Sequence, residues 1–326
     1  MNVNDFALSI ADADAQEAIY KTERQINRHD NILCSVSGGA DSDIVIDILE
    51  RVKTKDNITY LFFNTGLEYQ ATKDHLKYLE SKYNIKIQEA KAVKPIPLCV
   101  KEYGVPFLSK QVSEFIERLQ RHNFKWENKP FAELLKEYPK CKAALRWWCN
   151  EWGENSRVNI SRHSYLKEFM TQNPPNFKIS NKCCYYGKKL VALMAKAAGG
   201  YDLSITGIRK AEGGARATAY KSCFSPANDK TDIAEFRPIF WFKNATKKLY
   251  VKTFNIKHSD CYLKWGLPRT GCAGCPYAKD FENELEAVRQ NEPKMYIALL
   301  NVFGKSYEYT RKYREYQKKM KEGGKQ

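Results

Sequence analysis

The chain has no apolar run approaching the ~18–20 residues of a membrane-spanning helix, which argues against a helical membrane protein. Its first residues, Met1 to Asp5, lack the basic-then-apolar layout of a secretory signal, so a cytoplasmic protein is expected. No Gly-Lys-Ser/Thr follows its glycine turn, which excludes the Walker phosphate loop. The five histidines are scattered, and their spacing suggests no histidine-based metal centre. Internal repeats and low-complexity linkers are also absent. Acidic residues are in deficit: 38 Asp+Glu against 54 Lys+Arg leave a net charge of +16. This favours polyanionic partners, nucleotides or nucleic acid, beside the plainer alternative of a basic soluble surface. Cysteine, by contrast, is plentiful. Ten cysteines without an export signal argue for reduced thiols and ligands rather than disulfides.

With 326 residues, 43% hydrophobic and 13% aromatic, the chain can bury one large or two modest cores. Helical periodicity runs from Asp12 to Arg28, followed by a buried strand over 31–36. A glycine loop, Ser37-Gly38-Gly39-Ala40-Asp41-Ser42, then opens a helix to about Lys53. A second β-rich run, Ile58 to Phe63, ends at Asn64-Thr65-Gly66, and a helix from about Gln70 to Lys82 leads to a strand over Ile85–Glu89. This alternation predicts an α/β fold, a doubly wound parallel sheet with helices on both faces. Ligands in such sheets lie beyond the carboxyl ends of the strands, where Ser37 and Asn64 fall.

From Ser109 to Met170 the pattern is helical and aromatic, with Trp126, Trp147, Trp148 and Trp152, and it ends at Asn173-Pro174-Pro175-Asn176. It reads as a helical insertion or a small subdomain over a nucleotide cleft. Sheet-like segments resume at Asp202–Thr206 and near Ala234–Ile239. The basic tail, Lys305 to Gln326, reads as a solvated helix that frays. The expected divisions are a nucleotide-binding core at 1–108 and 179–258, the insertion at 109–178, and a cysteine-rich segment with the tail at 259–326.

A strand entering a glycine turn and then a helix aims backbone N–H groups at an anion. Gly38 and Gly39 permit close approach, Ser37 and Ser42 add hydroxyls, and Asp41 suits a helix cap or a magnesium ion. Downstream, Cys183-Cys184 and Cys272-Ala-Gly-Cys275 form two thiol pairs that only tertiary folding can unite. Cys-x-x-Cys can ligate zinc, an iron–sulfur cluster, or act as a redox pair. Cys261 is a substitute ligand, Cys223 is either a buried thiol or a persulfide-carrying nucleophile, and Cys34 and Cys99 read as core.

Ser37-Gly-Gly-Ala-Asp-Ser42 resembles the PP-loop of ATP pyrophosphatases, a Rossmann-like fold group. Phe63-Asn-Thr-Gly-Leu-Glu68-Tyr-Gln-Ala-Thr72 is similar to the Asp-Thr-Gly…Glu-Thr segment of the phosphoadenosine phosphosulfate (PAPS) reductase family. Lys182-Cys183-Cys184 with Cys272 and Cys275 resembles its iron–sulfur branch, the adenylyl sulfate reductases. Thr206-Gly207-Ile208-Arg209…Arg216 looks like the family's Gly-x-Arg…Arg segment, and Arg237-Pro238-Ile239 like its proline turn before a late helix. The resemblance implies adenine-nucleotide contacts at Ser37, Gly38, Gly39, Asp41, Ser42, Asn64, Thr65, Gly66, Glu68 and Gly207. It implies a 4Fe-4S cluster on Cys183, Cys184, Cys272 and Cys275, with zinc as the alternative.

Reductases of this family carry a nucleophilic cysteine near the C-terminus, whereas residues 276–326 hold none, and Asp43 stands where the ATP-splitting relatives carry a small or hydroxyl residue. The expectation is therefore iron–sulfur-assisted sulfur transfer that uses ATP with Mg2+, or adenylyl sulfate, with nucleic acid as an acceptor. Asp41, Lys110, Arg209, Arg216 and Cys223 are the catalytic candidates. A thiol or sulfur-donor protein and a second copy of the chain are the other partners the resemblance implies, and no membrane is. The alternatives are a sulfonucleotide reductase releasing sulfite from adenylyl sulfate or PAPS, and a zinc-stapled nucleic-acid-binding module.

Overall fold

The computed structural model describes residues 2–228 and 232–323, with the side chains of Ala215 and Arg216 also outside the description. Two compact units arise, Met1–Val93 with Lys188–Ala273, and Lys94–Gly187 with Gly274–Gln326.

The first unit is an α/β layer built on a six-stranded sheet. Its strands are β1 (Ile32–Val36), β2 (Ile58–Asn64), β3 (Ile87–Lys91), β4 (Leu203–Thr206), β5 (Phe224–Ser225) and β6 (Ala234–Phe236). Their order is β3-β2-β1-β4-β6-β5, all parallel except the β5–β6 pair. Chain order reverses between β1 and its two neighbours, so a topological switch point lies at the carboxyl end of β1. Pairing of Val36 with Phe62 and of Ser35 with Thr206 brings the ends of β2, β1 and β4 to one edge.

The expected strand at Ile85–Glu89 falls two residues later, as β3. Its outer position leaves none of its side chains buried, so its register was weakly marked. The two-residue β5 was not expected, and the run expected to reach Ile239 leaves the sheet after Phe236, because Pro238 cannot extend a ladder.

Apolar side chains of the helices Ala13–Asn27 and Ala40–Val52 and of β1, β2 and β4 form one continuous core. Cys34 lies within it at 1% exposure, as expected. Asp12 caps the first of these helices, its carboxylate accepting from Ala15 N–H at 3.0 Å. The second helix carries two carboxylates into the core, Asp43 and Asp47, both 0% exposed. Asp47 accepts hydrogen bonds of 2.8 Å from Arg51 Nε, Tyr83 Oη and Tyr250 Oη.

The second unit is helical and aromatic. Trp147 and Trp148 are buried, Trp147 stacking on Phe115 and Trp148 meeting Phe124 and Trp126 edge-on. The basic tail is helical and its end is solvated, as expected, but its first turns to Tyr313 bury one face. Pro293–Gly323 is one continuous helix that buries Leu299, Phe303, Tyr307, Tyr309, Thr310 and Tyr313. Tyr309 and Tyr313 pack on Phe107 and Phe169. The density of lysine and arginine masked an aromatic stripe at helical spacing.

Replacing Asp47 with alanine leaves the buried Tyr250 hydroxyl and the half-buried Tyr83 hydroxyl without their acceptor. It is expected to lower unfolding free energy by roughly 3 kcal/mol, read from urea midpoints at constant slope. A loss below about 1 kcal/mol would mean that the carboxylate is incidental to the packing.

Candidate active site

β1 delivers the chain into Ser37-Gly38-Gly39, and the helix Ala40–Val52 begins at once. Gly38 has φ +64°, and a Cβ there would fall 2.8 Å from Thr72 Cγ2, so the turn requires glycine. Ser42 Oγ donates to Gly39 O at 2.8 Å and accepts from Gly39 N–H at 3.1 Å, closing the loop on itself. Ser37 Oγ lies 3.3 Å from Ser42 Oγ. Gly207, just past β4, abuts the loop: a Cβ there would stand 3.2 Å from the Asp41 carbonyl and the Ser42 nitrogen.

Asp41, in the first helical turn, takes Arg209 Nε at 3.0 Å and Lys247 Nζ at 2.7 Å on the same carboxylate oxygen. Arg209 is 6% exposed and is anchored further by Phe242 O and Asn244 Oδ1. Two cations around one carboxylate leave a positive surplus at a helix N-terminus, the electrostatic character of an anion site. Lys247 was missed by the sequence. Its signal was the helix after the Arg237-Pro238 turn, which places a lysine in its first turns (Asn244–Thr253).

Asp43 was the position where the loop departs from the family pattern, and the structure shows what it does. His75 Nε2 bonds one of its oxygens at 2.9 Å and His258 Nδ1 the other at 2.7 Å. The two histidines are far apart in sequence, so no spacing announced them.

At the end of β2 the turn is braced internally. Asn64 Oδ1 accepts from Gly66 N–H at 2.8 Å, and Glu68 Oε1 accepts from Thr65 N–H at 3.2 Å and Thr65 Oγ1 at 2.6 Å. Glu68 is 5% exposed. Burial raises its carboxyl above the ordinary range, opposed by Lys188 and by the Thr65 bonds.

The remaining candidates are dispersed. Lys110 is exposed in the first turn of the helix Lys110–Arg121, in the second unit. The side chain of Arg216 lies outside the described residues. Cys223 is half-buried against the core beside edge strand β5, three strand spacings from β1, or roughly 14 Å. Cys261 is 0% exposed in the first unit, 3.9 Å from Thr72 Oγ1.

In the second unit, the helical turn Lys182–Cys184 runs directly into a π-helical stretch, Tyr185–Lys189, a backbone irregularity often found at functional sites. Burial raises the Tyr277 phenol well above its ordinary range, and the thiols of Cys183, Cys184 and Cys275 add to the effect. Thiols are the donors that a thiophilic metal centre takes. Among the described residues, no three His, Cys, Asp or Glu side chains stand in metal-ligand arrangement. The Cys272-Ala-Gly-Cys275 turn passes through Gly274 at φ +55°, where a Cβ would meet Leu299 Cδ1 at 2.5 Å. The Tyr307 hydroxyl donates to the Gly274 carbonyl.

The family model described as phosphoadenosine phosphosulfate reductase domain matches residues 31–278. A tRNA(Ile)-lysidine synthase from Thermosipho africanus (strain TCF52B) is 28% identical over 171 residues, 52% of this chain and 38% of that protein. The chain therefore matches well under half the length of that relative. Among solved structures, the PAPS reductase of Candida auris in its phosphate complex shares 12% identity at a TM-score of 0.43, covering 78% of this chain and 87% of that one. A U34-tRNA thiolase from Methanococcus maripaludis with its 4Fe-4S cluster shares 13% at a TM-score of 0.37, covering 91% and 79%. At that level of likeness neither structure bears on this chain's chemistry.

Because the folded protein raises the Glu68 pKa, it binds a proton there that the unfolded chain has already released. Ionising the group as pH rises above about 4.5 therefore costs stability. Unfolding free energy of wild type relative to Glu68→Gln should fall between pH 4 and pH 7. A constant difference would place the carboxylate in a solvated site.

Proposed function

The chain belongs to the phosphoadenosine phosphosulfate reductase domain family, and on that premise we propose that it is a PP-loop enzyme that uses ATP in sulfur transfer onto nucleic acid. The observation that carries this reading is Asp41 held between Arg209 and Lys247 where the glycine loop meets its helix. A phosphate chain laid on the loop would draw on both cations, and Asp41 is the carboxylate that an accompanying magnesium ion would use.

In the proposed activation, an acceptor oxygen attacks the α-phosphorus. A new oxygen–phosphorus bond forms as the α–β anhydride breaks, and pyrophosphate leaves with the electron pair. Hydrosulfide then forms a carbon–sulfur bond as the carbon–oxygen bond to AMP breaks, and AMP leaves with the electron pair. Arg209 and Lys247 neutralise the charge that grows on the leaving pyrophosphate, with Lys110 and Arg216 as further candidates. Cys183, Cys184 and Cys275, with Cys272 from the same Cys-x-x-Cys, are the thiols that would hold a 4Fe-4S cluster, or zinc, and a cluster would supply an iron that binds sulfur. The net charge of +16 and a relative named for tRNA modification support a nucleic-acid acceptor.

The family's name favours a second reading, sulfite release from adenylyl sulfate or PAPS, with Cys223 as its candidate nucleophile. The two readings are separated by supplying anaerobically purified protein with ATP, Mg2+ and bulk tRNA, or with a sulfonucleotide and a thiol. AMP and pyrophosphate are expected from the first mixture, and Asp41→Ala should reduce both about 100-fold or more. Unchanged turnover in that variant would overturn the ATP reading, and sulfite from the second mixture alone would establish the reductase. Salt-sensitive tRNA binding without nucleotide affinity would return the zinc-stapled module.

A further inference from the structure

An oxygen already occupies the phosphate loop. Tyr262 Oη accepts from Ala40 N–H at 3.2 Å and from Thr270 N–H at 3.0 Å, and lies 3.3 Å from Thr270 Oγ1. A Cβ on Gly39 would stand 3.2 Å from both this hydroxyl and Thr270 Oγ1, so the oxygen sits against the loop backbone itself. The N–H it holds belongs to the first residue of a helix, one of the donors that helix geometry leaves without an internal acceptor.

We propose that the Tyr262 hydroxyl is a surrogate phosphate oxygen, holding the Ala40 N–H until a phosphate of pyrophosphate or ATP takes it. The exchange frees the Thr270 N–H at the head of the Cys272-Ala-Gly-Cys275 turn. The inference rests on the nucleotide reading above and adds to it a coupling between the phosphate loop and the cysteine segment.

The direction of exchange follows from charge. A tyrosine phenol is un-ionised at neutral pH, so it accepts as a neutral group. A phosphate oxygen is ionised, and charge-assisted bonds to the same N–H are roughly twice as strong as neutral ones. Arg209, Lys247 and the helix dipole favour the anion further. The backbone that carries the ring is anchored by bonds separate from those of its hydroxyl. His258 is bonded to Asp43, Ser259 Oγ donates to Ala71 O at 3.1 Å, and the same oxygen accepts from Cys261 N–H at 3.3 Å. The movable part is the side chain, and what it releases is Thr270.

The test measures binding of inorganic pyrophosphate and of ATP to the full chain and to Tyr262→Phe by calorimetry, with hydrogen exchange at the Thr270 amide. Removing the resident acceptor should tighten binding roughly fivefold. Pyrophosphate should speed Thr270 exchange in wild type, while in the variant exchange is already fast and does not respond. Equal or weaker affinity, with Thr270 exchange unmoved by pyrophosphate, overturns the surrogate role and leaves the nucleotide reading standing. Failure of both proteins to bind either probe overturns both. Should the variant not fold, the wild-type exchange response decides alone.

Discussion

Two carboxylates buried on one helix hold the first unit together. Asp43 and Asp47 are four residues apart and therefore share a face of Ala40–Val52. An unpartnered buried carboxylate is costly, so each requires donors from its surroundings. Both find them in the same two places. Asp43 takes His75 from the helix Gln70–Tyr83 and His258 from the later chain, and Asp47 takes Tyr83 and Tyr250 from the same two regions. Apolar packing alone would let this helix slide or turn. Four directional bonds to two fixed anions set its rotation and its depth, and hence where its N-terminus points.

That placement decides what the loop can do. Asp41 lies two residues before Asp43 and so projects away from the buried face, toward Arg209 and Lys247. The helix thus uses three aspartates differently within two turns, two as internal anchors and one at the rim. Asp43 is faced by Nε2 of His75 and Nδ1 of His258, one ring nitrogen on each carboxylate oxygen, which holds both imidazoles in a single orientation.

What could be read from the sequence was local. The strand–glycine–helix passage and the Asn64-Thr65-Gly66 turn each lie within a few residues, and each signal survives in the fold. What could not be read was non-local. Lys247 and His258 reach the loop from more than two hundred residues away, and only Lys247 had a local cue, the helix after the Arg237-Pro238 turn. Glu68 illustrates a subtler limit. Its motif suggests a ligand contact, yet its carboxylate is turned back onto Thr65 and braces the turn. The buried face of the tail was missed because composition was weighed above period: its aromatics recur at helical spacing among the lysines, and burial followed the period.

The stretch from His258 to Cys275 touches several parts of the site in turn. His258 touches Asp43, Tyr262 touches Ala40 and Thr270, and Ala273 N–H bonds Leu67 O at 2.9 Å, within the turn after β2. The next residues are Gly274, whose nitrogen lies 3.2 Å from Glu284 Oε1, and Cys275. A single covalent path therefore visits the buried anion, the phosphate loop and the Asn-Thr-Gly turn before it reaches the thiols. The contacts before Thr270 anchor its backbone, and the one at Thr270 depends on a neutral phenol in a place suited to an ion. A change at the loop would thus pass along this path at its weakest link, next to Cys272, and leave the anchored links unmoved.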